Sequence, residues 1–147
     1  MKIMQLLKSS ILAVLILGMV TSAWSDDTAD NWEKMVFHLD ETRNARWALM
    51  LANAYLEDSP NAKIVIVAFG PGVDFLVEDA ADRNGNQYEA AVMELSQKGV
   101  DFRVCATTLR AKDIAKERIL DEAAIVPSGL SEIARLQLKE GYAYLKP

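Results

Sequence analysis

The segment Ile64-Val65-Ile66-Val67-Ala68-Phe69 runs directly into the turn sequence Gly70-Pro71-Gly72. Its side chains are apolar on both alternating faces, and four of the six are β-branched, as is typical of a strand that is covered on both sides. Glycine and proline together favour the end of a regular element. The segment therefore predicts a central strand of a sheet that lies between two layers.

Strand and helix patterns alternate on both sides of this segment. Short apolar runs predict further strands at residues 35–39, 101–106, 123–127 and 142–145. Helical spacing of apolar residues predicts helices at residues 44–57, 89–98, around 111–120, and from Gly129 to Gly141. Residues 73–77 are predicted to form a turn of helix, and residues 82–86 a loop.

This alternation indicates parallel strands that are joined by right-handed crossovers. The fold class predicted is α/β, a three-layer α/β/α sandwich with a mostly parallel five-stranded sheet. The pattern does not predict the strand order. The apolar residues of the last helix are predicted to lie near one side: Leu130, Ile133, Ala134, Leu136 and Leu138.

The first 25 residues have the pattern of a signal peptide: Lys2 and Lys8 precede an apolar core, and small residues follow. Cleavage is predicted after Ser25, with Ala23 as the alternative position. The uncharged run at residues 9–25 is shorter than the about 20 residues of a spanning helix, which disfavours a retained anchor. We therefore expect a periplasmic or secreted protein, with no stable membrane span after cleavage.

The mature chain is predicted to hold a polar tether at residues 26–33 and one domain at residues 34–147. A chain of 147 residues with 51% hydrophobic and 25% charged residues fits one globular domain. Loss of Lys2 and Lys8 changes the formal net charge from −5 to −7. This acidic balance argues against nucleic acid as a partner.

In open parallel sheets, ligands bind outside the carboxyl ends of the strands. Candidate catalytic residues at these positions are Cys105 and His38. Candidate ligand-binding residues at the same edge are Asp40, Gly70, Gly72, Thr107 and Ser128.

Cys105 is the single cysteine, so it cannot form an internal disulfide. It is a buried apolar residue, a reactive thiol, or half of an intermolecular bond. Its place where a strand meets a helix favours the thiolate, because backbone N–H groups and the helix dipole stabilise an anion. Burial without a cation would instead raise the pKa of the thiol.

His38 is the single histidine. If the first and third strands were neighbours, its imidazolium would lower the thiol pKa of Cys105. One cysteine and one histidine fall short of the four ligands of a structural zinc site. The Gly70-Pro71-Gly72 turn lacks the spacing of a dinucleotide fingerprint or a phosphate-binding loop. We therefore predict neither a metal nor a cofactor.

Several segments together resemble the DsrE/DsrF-like proteins, and the resemblance covers about residues 34–147. They are residues 36–40 (VFHLD), 65–73 (VIVAFGPGV), 98–105 (KGVDFRVC), 126–129 (VPSG) and 141–147 (GYAYLKP). The resemblance implies a five-stranded α/β/α sandwich that assembles into homo-trimers or hexamers. It also implies a cysteine that carries sulfur as a persulfide, and Cys105 matches the place of that cysteine.

The leading hypothesis is therefore an exported sulfur handler, a carrier more than a turnover enzyme, with a sulfur-donor or sulfur-acceptor protein as partner. In it, Thr107 and neighbouring amides stabilise the anion of Cys105, and His38 tunes it. One alternative is a non-catalytic oligomeric module that binds a small ligand or a protein, with Cys105 packed in the structure. Another is a redox protein that forms an intermolecular Cys105 disulfide.

Overall fold

Across residues 33–147, which the computed structural model describes, strands and helices alternate as predicted. The strands are β1 (Lys34–Leu39), β2 (Lys63–Ala68), β3 (Asp101–Cys105), β4 (Ala123–Val126) and β5 (Ala143–Leu145). The α-helices are α1 (Ala45–Asp58), α2 (Glu89–Gln97), α3 (Ala106–Ala111) and α4 (Gly129–Glu140). Short 3₁₀ helices span Thr42–Asn44, Gly70–Leu76 and Lys116–Arg118. The predicted signal peptide and nearly all of the predicted tether lie outside the described residues.

The strand order is β4-β3-β2-β1-β5, and every neighbouring pair is parallel. This confirms the predicted three-layer α/β/α fold, with a sheet that is parallel throughout. From β1 to β4 the chain steps in one direction, so right-handed crossovers place α1, α2 and α3 on one face. The return from β4 to β5 runs the other way and places α4 on the opposite face.

Two apolar cores flank the sheet, one on each face. The larger core packs α1 and α2 against side chains such as Phe37, Ile66 and Phe102. In the smaller core, three sheet valines pack against Ile133 and Leu136 of α4. Strand β2 contributes alternate residues to both cores, which confirms that it is covered on both sides.

The prediction of a helix around residues 111–120 is wrong. The helix of this region, α3, begins directly after Cys105 and ends at Ala111, and only a 3₁₀ turn at Lys116–Arg118 follows. Asp113 has a φ of 53°, a left-handed conformation that interrupts an α-helix. After the 3₁₀ turn the backbone is extended at Ile119, which bridges Val77, and the Leu120 N–H donates to the carbonyl of Leu76.

The apolar residues of α4 lie on two sides of the helix, where the sequence predicted one. Ile133 and Leu136 are buried against the sheet, whereas Leu130 is 69% exposed and Leu138 is 85% exposed. At 3.6 residues per turn, Leu130, Ala134 and Leu138 form a separate stripe that faces away from the sheet.

The segment at residues 82–86 is a loop, as predicted. Among the helices of residues 33–147, none has the length and apolar composition needed to span a bilayer.

Candidate functional site

Cys105 is the last residue of β3 and the N-cap of α3, so the strand and the helix together fix its place at the carboxyl edge of the sheet. Its thiol is free, and the residue is 5% exposed. Alternation along β3 directs the side chain toward the face that α4 covers. The predicted position at the edge of the sheet is confirmed, and the thiol is shielded there from bulk solvent.

Gly129, the first residue of α4, packs directly on this thiol. A Cβ atom on Gly129 would lie 3.3 Å from the Cβ of Cys105 and 2.9 Å from Cδ1 of Phe69. The absence of a side chain therefore lets the backbone of α4 approach the sulfur closely. Two helix N-termini, those of α3 and α4, converge on one side chain.

The surroundings of Cys105 act on its thiol pKa in opposite directions. Burial raises the pKa, whereas the backbone N–H of Gly129, the Thr108 hydroxyl, and the backbone N–H groups of Thr108 and Thr107 lower it. The net direction is downward. The thiol makes no conventional capping hydrogen bond within α3. These donors therefore act mainly on the anion, which they favour.

Thr108 was not among the predicted site residues. Its Oγ1 accepts a hydrogen bond of 3.0 Å from the Gly70 N–H, which leaves the hydroxyl proton free to donate to the sulfur. Thr108 is the third residue of α3, the position at which a side chain reaches back to the N-cap. The spacing of Thr108 from Cys105 is the sequence signal that could have identified it.

Thr107, which was predicted to stabilise the anion, contributes only its backbone N–H. Its hydroxyl donates to the carbonyl of Pro127 at 3.0 Å and accepts from Arg110 Nη2 at 3.1 Å. The side chain of Thr107 therefore ties α3 to the end of β4. Its neighbour Thr108 supplies the hydroxyl at the sulfur.

His38 does not lie beside Cys105, because β2 separates β1 from β3. Its ring stacks on Phe69, with centroids 4.3 Å apart, and its Nδ1 shares a hydrogen bond of 2.6 Å with the Tyr144 hydroxyl. Burial lowers the pKa of His38, Asp40 raises it, and Lys146 lowers it, with a net direction downward. Burial therefore favours the neutral ring, and the strand adjacency that the tuning hypothesis required is not found.

Asp40 and Ser128 are each engaged by a neighbour. Asp40 forms an ion pair of 2.5 Å with Lys146, and the hydrogen bond from Lys146 is the main cause that lowers the pKa of this carboxyl. The Ser128 hydroxyl accepts from the N–H of Ser131 at 3.3 Å and so caps α4. Ser128 thus fixes the start of the helix whose next residue, Gly129, contacts the sulfur.

The two predicted glycines have different roles. Gly70 has a φ of 57°, and its N–H donates a hydrogen bond to Oγ1 of Thr108. Gly72 packs against the end of β1, where a Cβ would lie 2.6 Å from the carbonyl carbon of Leu39. The lack of a side chain at Gly72 therefore allows two backbone segments of this chain to pack closely.

A cavity of about 410 Å³ adjoins the site on the side of Thr108. It is mostly apolar and is lined by Gly70, Pro71, Thr107, Thr108, Ala111 and Lys112. Among residues 33–147, no group of three or more His, Cys, Asp or Glu side chains is placed to hold a metal ion.

Comparisons with known proteins agree with this architecture. The chain is similar to a protein of unknown function, MTH1491 from Methanobacterium thermoautotrophicum, with 34% identity, a TM-score of 0.66, and coverage of 78% of this chain and 98% of that one. It shares the fold of the ychN protein from E. coli, with 18% identity, a TM-score of 0.66, and coverage of 78% and 99%. No curated protein matches the chain. The model of the DsrE/DsrF-like family matches residues 34–147, and the chain belongs to that family.

Proposed function

We propose that this chain is an exported sulfur carrier that holds a sulfane sulfur as a persulfide on Cys105. The observation that carries the proposal is the place of Cys105 between the N-termini of α3 and α4, where Gly129 packs on it and the surrounding N–H groups and the Thr108 hydroxyl favour an anion. A thiolate is the nucleophilic form of cysteine. A persulfide is also an anion at neutral pH, and the same donors stabilise it.

The proposed loading and transfer steps balance without an external oxidant or reductant. In loading, the Cys105 thiolate attacks the terminal sulfur of a polysulfide, a new S–S bond forms, and the shortened polysulfide leaves with the electron pair of the broken bond. In transfer, the thiolate of an acceptor protein attacks the outer sulfur of the persulfide. Cys105 then leaves as a thiolate, ready for the next cycle.

The burial of Cys105 supports export as part of this proposal. In an oxidising compartment, exposed thiols are oxidised or trapped as mixed disulfides. With 5% exposure, Cys105 offers little surface to such oxidants and thiols. In this proposal the signal peptide is cleaved after Ser25, and the protein acts in the periplasm or outside the cell.

A homo-oligomer, trimer or hexamer, is part of the same proposal. The stripe on α4 supports it, because Leu130 and Leu138 expose most of their apolar side chains to solvent. Contiguous exposed apolar surface commonly marks a protein–protein contact. A sulfur-donor or sulfur-acceptor protein is the second proposed partner.

Mass spectrometry after incubation with polysulfide tests the proposal. We expect the mature protein to gain the mass of one sulfur atom, localised to the peptide that contains Cys105, and to lose it when a small thiol acceptor is added. An unmodified Cys105, beside a control protein whose thiol is modified, would contradict the carrier function. If Cys105 reacts only after unfolding, the alternative of a binding module with a packed cysteine is favoured. This is the main alternative because Cys105 is only 5% exposed.

Replacement of Thr108 by valine is expected to raise the thiol pKa of Cys105 by roughly one to two units, because a hydrogen bond to a charged group contributes about 1.5–3 kcal/mol. The matched control is Thr107→Val, since the Thr107 hydroxyl is bonded to the Pro127 carbonyl. The pH dependence of Cys105 alkylation measures both variants. Thr108→Ser should restore the wild-type value, and equal shifts in the two valine variants would rule out the role given to Thr108.

A further inference from the structure

We propose that the ion pair between Arg103 and Glu132 is a positioning device that holds the N-terminus of α4 over the sulfur of Cys105. The inference rests on the proposed function, because it explains how the donor set of that site is kept in place. Neither residue belongs to the set of donors that surrounds the sulfur.

The ion pair connects the two elements that meet at the site. Arg103 lies two residues before Cys105 on β3, so its side chain points to the same face of the sheet. Its Nη1 donates to Oε1 of Glu132, which lies in the first turn of α4. The two side chains are 18% and 13% exposed, so the pair is largely shielded from water.

Both ends of the pair are themselves held in place. Arg103 Nε donates to Asp101 Oδ2 at 3.1 Å, which orients the guanidinium along β3. Glu132 accepts two further hydrogen bonds from Arg135, of 2.8 Å from Nη2 and of 3.2 Å from Nε. The backbone N–H of Glu132 donates to the Ser128 carbonyl at 3.0 Å and closes the turn that contains Gly129.

The small apolar core does not connect the N-terminus of α4 to β3, whereas the ion pair does. The small core beneath α4 consists of Val36, Val65, Val67, Ile133 and Leu136. Its three sheet residues belong to β1 and β2, so this core packs α4 against those two strands and contains no side chain of β3. Gly129 is within one turn of Glu132, and a movement of Glu132 away from β3 would carry the Gly129 N–H away from the sulfur.

The variant Glu132→Gln separates positioning from a direct effect of charge, because the two effects change the thiol pKa of Cys105 in opposite directions. Removal of a nearby negative charge by itself favours the thiolate and lowers the thiol pKa of Cys105. Loss of the positioning contact weakens the N–H donors and raises it. We expect a rise of roughly half to one unit, which leaves about three- to tenfold less thiolate at neutral pH.

The measurement is the pH dependence of Cys105 alkylation, together with the rate of sulfur loading from polysulfide at neutral and at alkaline pH. Glu132→Gln should load more slowly at neutral pH and as fast as wild type once the thiol is fully ionised. Glu140→Gln is the matched control, since it makes the same change at the end of α4, where Glu140 pairs with Arg135 and not with β3, and it should leave the profile unchanged.

Glu132→Asp provides a second variant that keeps the charge and shortens the side chain, and a smaller rise in pKa is expected from it. A fall, or an unchanged profile in both Glu132 variants, would overturn the positioning role while wild-type loading left the carrier function intact. A wild-type protein without a depressed thiol pKa or without loading would instead overturn the proposed function itself.

Discussion

Cys105→Ser is expected to abolish sulfur loading completely and to leave the fold unchanged. The hydroxyl is close in size to the thiol, but at neutral pH it is neither ionised nor able to form a persulfide. Serine is also among the best N-cap residues, so the start of α3 should be at least as stable as in the wild type. Intact-mass analysis after polysulfide treatment measures the loss, and thermal unfolding checks the fold.

The matched control for this variant is Thr107→Val, which changes an exposed side chain of the same helix and leaves Cys105 intact. Under the same polysulfide treatment, Thr107→Val should gain one sulfur atom, as we expect of the wild type. A sulfur adduct on the Cys105→Ser protein would mean that some other group accepts the sulfur, and it would remove Cys105 from the centre of the mechanism.

Gly72→Ala is expected to cost about 3 kcal/mol or more of the free energy of unfolding, because small-to-large changes are expensive where neither side can yield. A Cβ at this position would overlap the carbonyl oxygen of Leu39 and lie 3.0 Å from the carbonyl carbon of Asp40. All of these are backbone atoms at the end of β1. The Gly72 N–H also donates to the Asp40 carbonyl at 3.0 Å, a bond that the displaced segment would lose.

Urea unfolding of Gly72→Ala and Gly85→Ala measures this effect against a matched control. Gly85 has a φ of 82°, but a Cβ added there would have no neighbouring atom within 4 Å, so alanine meets only backbone strain, about 1–2 kcal/mol. A loss of stability at Gly72 no larger than that at Gly85 would contradict the tight packing of the Gly70–Leu76 turn against β1.

The sequence was sufficient to predict the layers of the fold because burial leaves a direct pattern. The two-sided apolar character of residues 64–69 required cover on both faces, and the alternation of elements required parallel crossovers. Strand order depends on which strands become neighbours, and the spacing of apolar residues along the chain does not encode it. The return of β5 to the side of β1, and the separation of β1 from β3 by β2, therefore appeared only in the structure.

The candidate site could be predicted in outline and not in its contacts. The edge-of-sheet rule placed Cys105 correctly, since it needs only the end of a strand. Thr108 and Gly129 were missed because their contribution depends on the direction of a hydroxyl and on the approach of a helix from elsewhere in the chain. The neighbours Thr107 and Ser128 were predicted instead, and the structure shows that their hydroxyl groups serve Pro127 and the cap of α4.

The pH dependence of Cys105 alkylation in the folded protein shows whether the surroundings of the sulfur favour its anion. The thiolate reacts and the thiol does not, so the midpoint of the rate profile reports the pKa of this group. The donors from α3 and α4 predict a midpoint below the ordinary value of 9.0 for a cysteine thiol. A midpoint at or above that value, or a Cys105 that reacts only when the protein unfolds, would contradict a stabilised and reactive thiolate at this position.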